Sequence, residues 1–126
     1  MSEMANNGMS CNVFVYGTLM RGERAHSYLK GAVFMGEYLL RDHEMYDLGR
    51  YPAIAPADGG VVYGEVYGIT PDMLVEMDSY EGEGFLYNRK TVNVENEGGR
   101  LEAFVYVYAR ELYGKKIEGG RWKERR

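Results

Sequence analysis

The chain has 126 residues, 45% hydrophobic and 27% charged, which suits one soluble domain with a single core. A net charge of −4 argues against a general nucleic-acid binder, because phosphate contacts need clustered Lys and Arg. Cys11 is the only cysteine, so no internal disulfide can form, and no apolar run reaches the roughly 18–20 residues of a membrane helix.

Residues 1–11 read as a flexible N-terminal segment, and residues 12–126 as one domain. Met1, Met4 and Met9 could each be a start. The opening lacks the apolar core of a signal peptide, so a cytoplasmic address is the default expectation. Residues 12–16 read as a strand. Residues 22–30, with Gly31 behind them, read as a short helix with a glycine stop. Residues 32–41 and 43–48 are strand-like, and the pattern breaks around Tyr51-Pro52. Residues 61–69, VVYGEVYGI, alternate. Val62, Gly64, Val66 and Gly68 share one face; Tyr63, Glu65 and Tyr67 share the other. The glycines suggest a bulge or the close approach of another backbone.

Thr70-Pro71-Asp72 is a helix start: a cap, a proline at the first helical position, and an acid against the helix dipole. The helix should run to about Tyr80, with Met73, Leu74 and Met77 facing the core. Residues 88–95 and 101–109 read as two more strands joined by the turn ENEGGR. The basic end RWKERR reads as a solvated tail. No repeat, low-complexity tract or linker divides the chain. Many strands with two short helices predict an α+β fold with a closed or nearly closed sheet.

Three stretches could carry chemistry. The first is YGTL, residues 16–19, behind the first strand. A glycine there lets the chain turn with positive φ and bring its amides close to a ligand, as an anion-binding nest. A plain strand-to-loop turn is the alternative. The second is residues 77–89, where Asp78 and Glu81 lie three apart at a helix end with Glu83 nearby. Such carboxylates can do acid/base work or sit in solvent. The run GEGFLY opens like a dinucleotide fingerprint, but Tyr87 stands where the third glycine should be, which excludes it. The third is the set of 12 tyrosines, most of them structural and one or two fit to line a polar pocket. His26 and His43 are isolated in sequence, so neither suggests a metal site.

Taken in order, VFVYGTL, VVYGEVYGI, a helix ending MDSYEG, YNR, AFVYVY and the closing IEGGRW resemble the gamma-glutamyl cyclotransferase-like superfamily, in its gamma-glutamylamine cyclotransferase and AIG2-like branch. The resemblance covers about residues 12–123. It implies a small mixed β-barrel with a few short helices. It also implies cleavage of a gamma-glutamyl amide or amine, with cyclisation of the glutamyl part to 5-oxoproline and no metal or cofactor. The partner is then a small-molecule gamma-glutamyl substrate, with no nucleic acid, no membrane, and a monomer or weak homodimer.

The resemblance also assigns residues. Tyr16, Gly17, Thr18 and Leu19 match the family's cavity-lining loop, whose amides hold the substrate. Glu81 matches the catalytic glutamate of the L-D-x-x-E-G pattern, with Met77 in place of the leucine. Gly49, Tyr51 and Pro52 match a G-x-Y-P segment of the cavity wall. Tyr87 and Arg89 brace the loop after Glu81, Asp78 is structural, and Tyr108 is assigned a polar contact with substrate. Two alternatives use the same residues: a lyase that removes a gamma-glutamyl cap from a biosynthetic intermediate, and a binding module without turnover. The leaving group lies outside these motifs. Residues 20–27 and 113–122 are the candidates to meet it.

Overall fold

A computed structural model of the chain describes residues 11–124. Its strands are β1 (Cys11–Val15), β2 (Val33–Asp47), β3 (Pro52–Ile69), β4 (Tyr87–Asn96), β5 (Gly99–Tyr108) and β6 (Lys115–Ile117). One helix, α1 (Pro71–Glu81), links β3 to β4, and 3-10 turns cover His26–Leu29 and Trp122–Glu124.

The strands run in the order β3-β1-β5-β4-β2, and β2 pairs again with β3, so five strands close into a barrel. The barrel is mixed, because β1 lies parallel to β5 while its other ladders are antiparallel. β6 adds to the outer part of β2 through Met45↔Ile117. Closure removes the sheet edges that would otherwise offer unpaired backbone groups. The interior is filled by inward side chains such as Val13, Val62, Val66, Val94, Val105 and Met45, all 0% exposed.

Local chemistry explains the elements. Thr70 caps α1 by accepting from Met73 N–H at 3.2 Å. Gly82 ends it in the left-handed region at φ 69°, a conformation cheap only for glycine. Met77 is buried, with Met73 and Leu74 partly buried against the core. Gly64 is needed because a Cβ would come within 2.3 Å of the Val15 carbonyl, so the predicted close backbone approach is real there.

Several boundaries differ from the sequence reading. Residues 32–41 and 43–48 form the single strand β2, since Asp42 bulges at φ 62° and the pairing resumes beyond it. Its carboxylate accepts from Gly59 N–H at 3.0 Å, which stabilises the bulge. β3 begins at Pro52, so the break at Tyr51-Pro52 is a strand start. Only His26–Leu29 of the expected helix 22–30 is helical, as one 3-10 turn. Cys11, placed in the loose N-terminal segment, pairs with Ile69 in β1; the remainder of that segment lies outside the described residues. Trp122, in the tail expected to be solvated, is buried. No helix among the described residues is long and apolar enough to cross a membrane.

Candidate active site

A cavity of about 430 Å³ opens at one end of the barrel. Five segments meet there: the loop after β1, the start of β3, the end of α1, the start of β4, and β5 through Tyr106. Of the residues singled out by sequence, Tyr16, Gly17, Thr18, Leu19, Tyr51, Pro52, Glu81 and Tyr87 all line it.

Gly17 sits at the mouth of β1, and its role differs from the expected one. Its φ is not in the positive region. The constraint is space: a Cβ there would lie 2.4 Å from Cγ and 2.7 Å from Cδ of Pro52. The loop then turns back through a bond from Met20 N–H to the Gly17 carbonyl at 3.0 Å, and Ala25 N–H donates to the Thr18 carbonyl at 2.9 Å. The N–H groups of Gly17, Thr18 and Leu19 meet no acceptor of the chain among the described residues. These three residues are buried, where backbone donors ordinarily find a partner.

The loop is held from outside the cavity. Glu65, 5% exposed, accepts from Arg21 N–H and from the Tyr67 hydroxyl, each at 3.0 Å. His26 Nδ1 lies 2.9 Å from the Leu19 carbonyl. Thr18 Oγ1 is 2.8 Å from the Tyr80 hydroxyl, which ties the loop to the last turn of α1.

Glu81 is the last residue of α1, and the turn at Gly82 aims it into the cavity. Loss of solvent around its carboxyl pushes the pKa up from the ordinary 4.5 to about 7. Around it stand phenols raised above their usual range: Tyr16 and Tyr87 mainly by burial, and Tyr106 by burial and its bond to Asp78. These hydroxyls therefore stay protonated and act as donors. Tyr16 donates to the Tyr106 carbonyl at 2.5 Å, and Tyr87 to the Pro52 carbonyl at 2.6 Å.

Asp78 has another fate. It is ion-paired with Arg89 and accepts from the Tyr106 hydroxyl at 2.6 Å. The pair fixes α1 to β4 and β5 and leaves Glu81 as the carboxyl that lines the cavity. Glu83 accepts from Arg89 N–H at 3.3 Å at the surface.

Two of the residues assigned from sequence lie off this cavity's lining. Gly49 does not line the Glu81 cavity but the neighbouring depression with Arg24 and Arg50; in the β2–β3 turn its N–H donates to Asp47 Oδ1 at 2.8 Å. Tyr108 is also off the cavity lining: its ring packs edge-on against Tyr87, 5.3 Å between centroids, so it supports the wall from behind. Conversely, Tyr28, Arg50, Tyr80 and Tyr106 line the cavity without having been singled out as binding residues, and Arg24 does so from within the candidate segment 20–27. Tyr80 was the most accessible to sequence reasoning, as the neighbour of Glu81. Of the two candidate leaving-group segments, residues 20–27 reach the cavity, and 113–122 reach a neighbouring depression instead, through Trp122. Among the described residues no group of three or more His, Cys, Asp or Glu is placed to hold a metal ion.

The class this geometry defines is a small closed barrel with a cavity at one end that pairs a desolvated carboxyl with a loop of free amides. The family model described as "Gamma-glutamyl cyclotransferase, AIG2-like" matches residues 13–124, and the chain belongs to that family. The chain is 34% identical over 114 residues to the gamma-glutamylcyclotransferase family protein ytfP of Citrobacter rodentium, covering 90% of this chain and 96% of that one. It is 33% identical over 109 residues to the gamma-L-glutamyl-butirosin B gamma-glutamyl cyclotransferase of Niallia circulans, covering 81% and 69%. Among solved structures, an uncharacterized Pyrococcus horikoshii protein superposes with a TM-score of 0.76 at 30% identity, covering 91% of this chain and 92% of that one. An AIG2-like protein of Mus musculus superposes with a TM-score of 0.74 at 28% identity, covering 81% and 79%.

Proposed function

We propose that this protein is a gamma-glutamyl cyclotransferase that releases an amine from a gamma-glutamyl amide and closes the glutamyl part to 5-oxoproline, with Glu81 as general acid/base. The observation that carries this reading is the position of the Glu81 carboxyl. It is desolvated, with a pKa near 7, in the same cavity as the unpaired amides of Gly17, Thr18 and Leu19.

The reaction asks little of the protein beyond shape and one proton shuttle. The substrate's α-nitrogen bonds to its own γ-carbonyl carbon, and the bond from that carbon to the leaving nitrogen breaks. One proton moves from the α-nitrogen to the departing amine, and no water is consumed. Holding the chain folded for ring closure can contribute roughly 7–11 kcal/mol, as in other well-oriented intramolecular reactions. An α-amine is mostly protonated at neutral pH. A carboxyl with a pKa near 7 can take its proton and return one to the leaving nitrogen. The free amides suit the substrate carboxylate, and the phenols of Tyr16, Tyr87 and Tyr106 close the cavity around the reacting centre.

Product analysis tests this. Incubation with gamma-glutamyl amino acids, gamma-glutamyl-ε-lysine and simple gamma-glutamyl amines in ¹⁸O-water should give 5-oxoproline and free amine in equal amounts, without label. Labelled glutamate as the product would show hydrolysis and overturn the reading.

A further inference from the structure

The Glu81 cavity shares part of its lining with a second depression. Thr18, Arg24 and Arg50 also line a shallower depression, together with Gly22, Glu23, Gly49 and Trp122. The cavity that holds Glu81 and Tyr106 and this depression therefore share the two arginines and Thr18 in their walls. Arg24 is fixed at this shared wall: its Nη2 donates to the Arg50 carbonyl at 2.6 Å. Neither guanidinium forms an ion pair among the described residues, as is also true of Arg100 and Arg110. Glu23 is the one carboxylate lining the depression, so guanidinium charge there outnumbers carboxylate charge by two to one.

We propose that this depression receives the leaving amine, and that Arg24 and Arg50 select leaving amines that carry an anionic group. The substrates are then gamma-glutamyl derivatives of amino acids or peptides with a free carboxylate, in preference to gamma-glutamyl derivatives of neutral or cationic amines. This rests on the cyclotransferase reading of the same cavity. With the glutamyl carboxylate on the amides of Gly17–Leu19 and the γ-carbonyl beside Glu81, the wall shared at Thr18, Arg24 and Arg50 offers the leaving nitrogen's substituent a path into the depression. Guanidinium groups match carboxylates in charge and planar geometry. Both arginines are exposed, so the preference is moderate and weakens with salt.

The test is a matched ligand pair, gamma-glutamylalanine and its C-terminal carboxamide, differing only in the anionic group. Affinities are measured by calorimetry on the Glu81→Gln protein, which holds substrate without consuming it, and turnover of both is measured on wild type. The carboxylate ligand should bind about five-fold more tightly, falling towards parity in 0.5 M salt. Arg50→Gln and Arg24→Gln should each reduce the ratio towards one, while Arg24→Lys, which keeps the charge, should retain most of it. Equal affinities, binding of neither ligand, or a ratio unchanged in both glutamine variants would overturn the proposal. So would an equal loss of both ligands in those variants, which would place the arginines on the glutamyl end. If the affinity ratio holds and wild type forms no 5-oxoproline from either ligand, the catalytic reading fails and the charge selection stands.

Discussion

Glu81→Gln should lower kcat for 5-oxoproline release about 10³-fold while leaving KM within a few-fold of wild type. The substitution keeps the shape of the side chain and removes the group that titrates. The same variant should be more stable than wild type at alkaline pH. Burial raises the carboxyl of folded Glu81 from the ordinary 4.5 to about 7. The folded state therefore holds this proton more tightly than the unfolded state. Its contribution to stability is complete below about pH 4.5 and is lost as pH rises through about 7. At pH 8 wild type then carries a half-buried, desolvated charge that the glutamine variant lacks, a difference of about 1–3 kcal/mol. Thermal melts of both proteins at pH 5 and pH 8 check this. The variant's advantage should be larger at pH 8. An advantage that shrank with rising pH would mean that the carboxyl is not desolvated.

Gly17→Ala should damage both stability and binding. The new methyl would sit 2.4 Å from Pro52 Cγ, and a proline ring cannot swing away as a flexible side chain would. Either the loop after β1 or the start of β3 must move. Overpacking of this kind typically costs about 1–3 kcal/mol. The function should suffer more than the melt, because both sides of the clash line the cavity. Displacement of Pro52 also disturbs its carbonyl, which holds the Tyr87 hydroxyl at 2.6 Å. KM should rise about ten-fold or more, with a smaller fall in kcat. An unchanged KM in a protein that still melts cooperatively would show that this loop does not hold the substrate.

The sequence carried much of the secondary structure, and the reasons are local. Thr70-Pro71-Asp72 marks a helix start wherever it occurs in a chain, and α1 begins at Pro71. Alternation in VVYGEVYGI marks a strand, and β3 ends there. The limits of that alternation also show. Tyr67 and Glu65, placed on the face opposite Val66, are buried as well, because the loop carrying Arg21 and the ring of Phe34 cover them. Nothing in the spacing announced this cover. β6 is three residues long, KKI, and exists because β2 has a free flank beside Met45, Tyr46 and Asp47. A segment that short carries no period of its own.

The site was legible through motifs more than through physics. Tyr16–Leu19 and Glu81 lie 62 residues apart between Leu19 and Glu81, and only barrel closure brings them together. Arg24 and Arg50 come from two loops whose meeting depends on Arg24 reaching the Arg50 carbonyl. Tyr106 and Tyr108 have the same side-chain parity on β5, yet only Tyr106 reaches the cavity, since Tyr108 lies against Tyr87. Parity gives a face of a strand; position along it decides which residue meets a ligand.

The most direct measurement is the pH dependence of kcat/KM for 5-oxoproline release, wild type beside Glu81→Gln. The profile for wild type should rise through an acid limb near pH 7, where Glu81 loses its proton. That limb should be missing from the residual rate of the variant. A wild-type rate flat from pH 5 to 8, or the same limb in both proteins, would contradict the role given to Glu81.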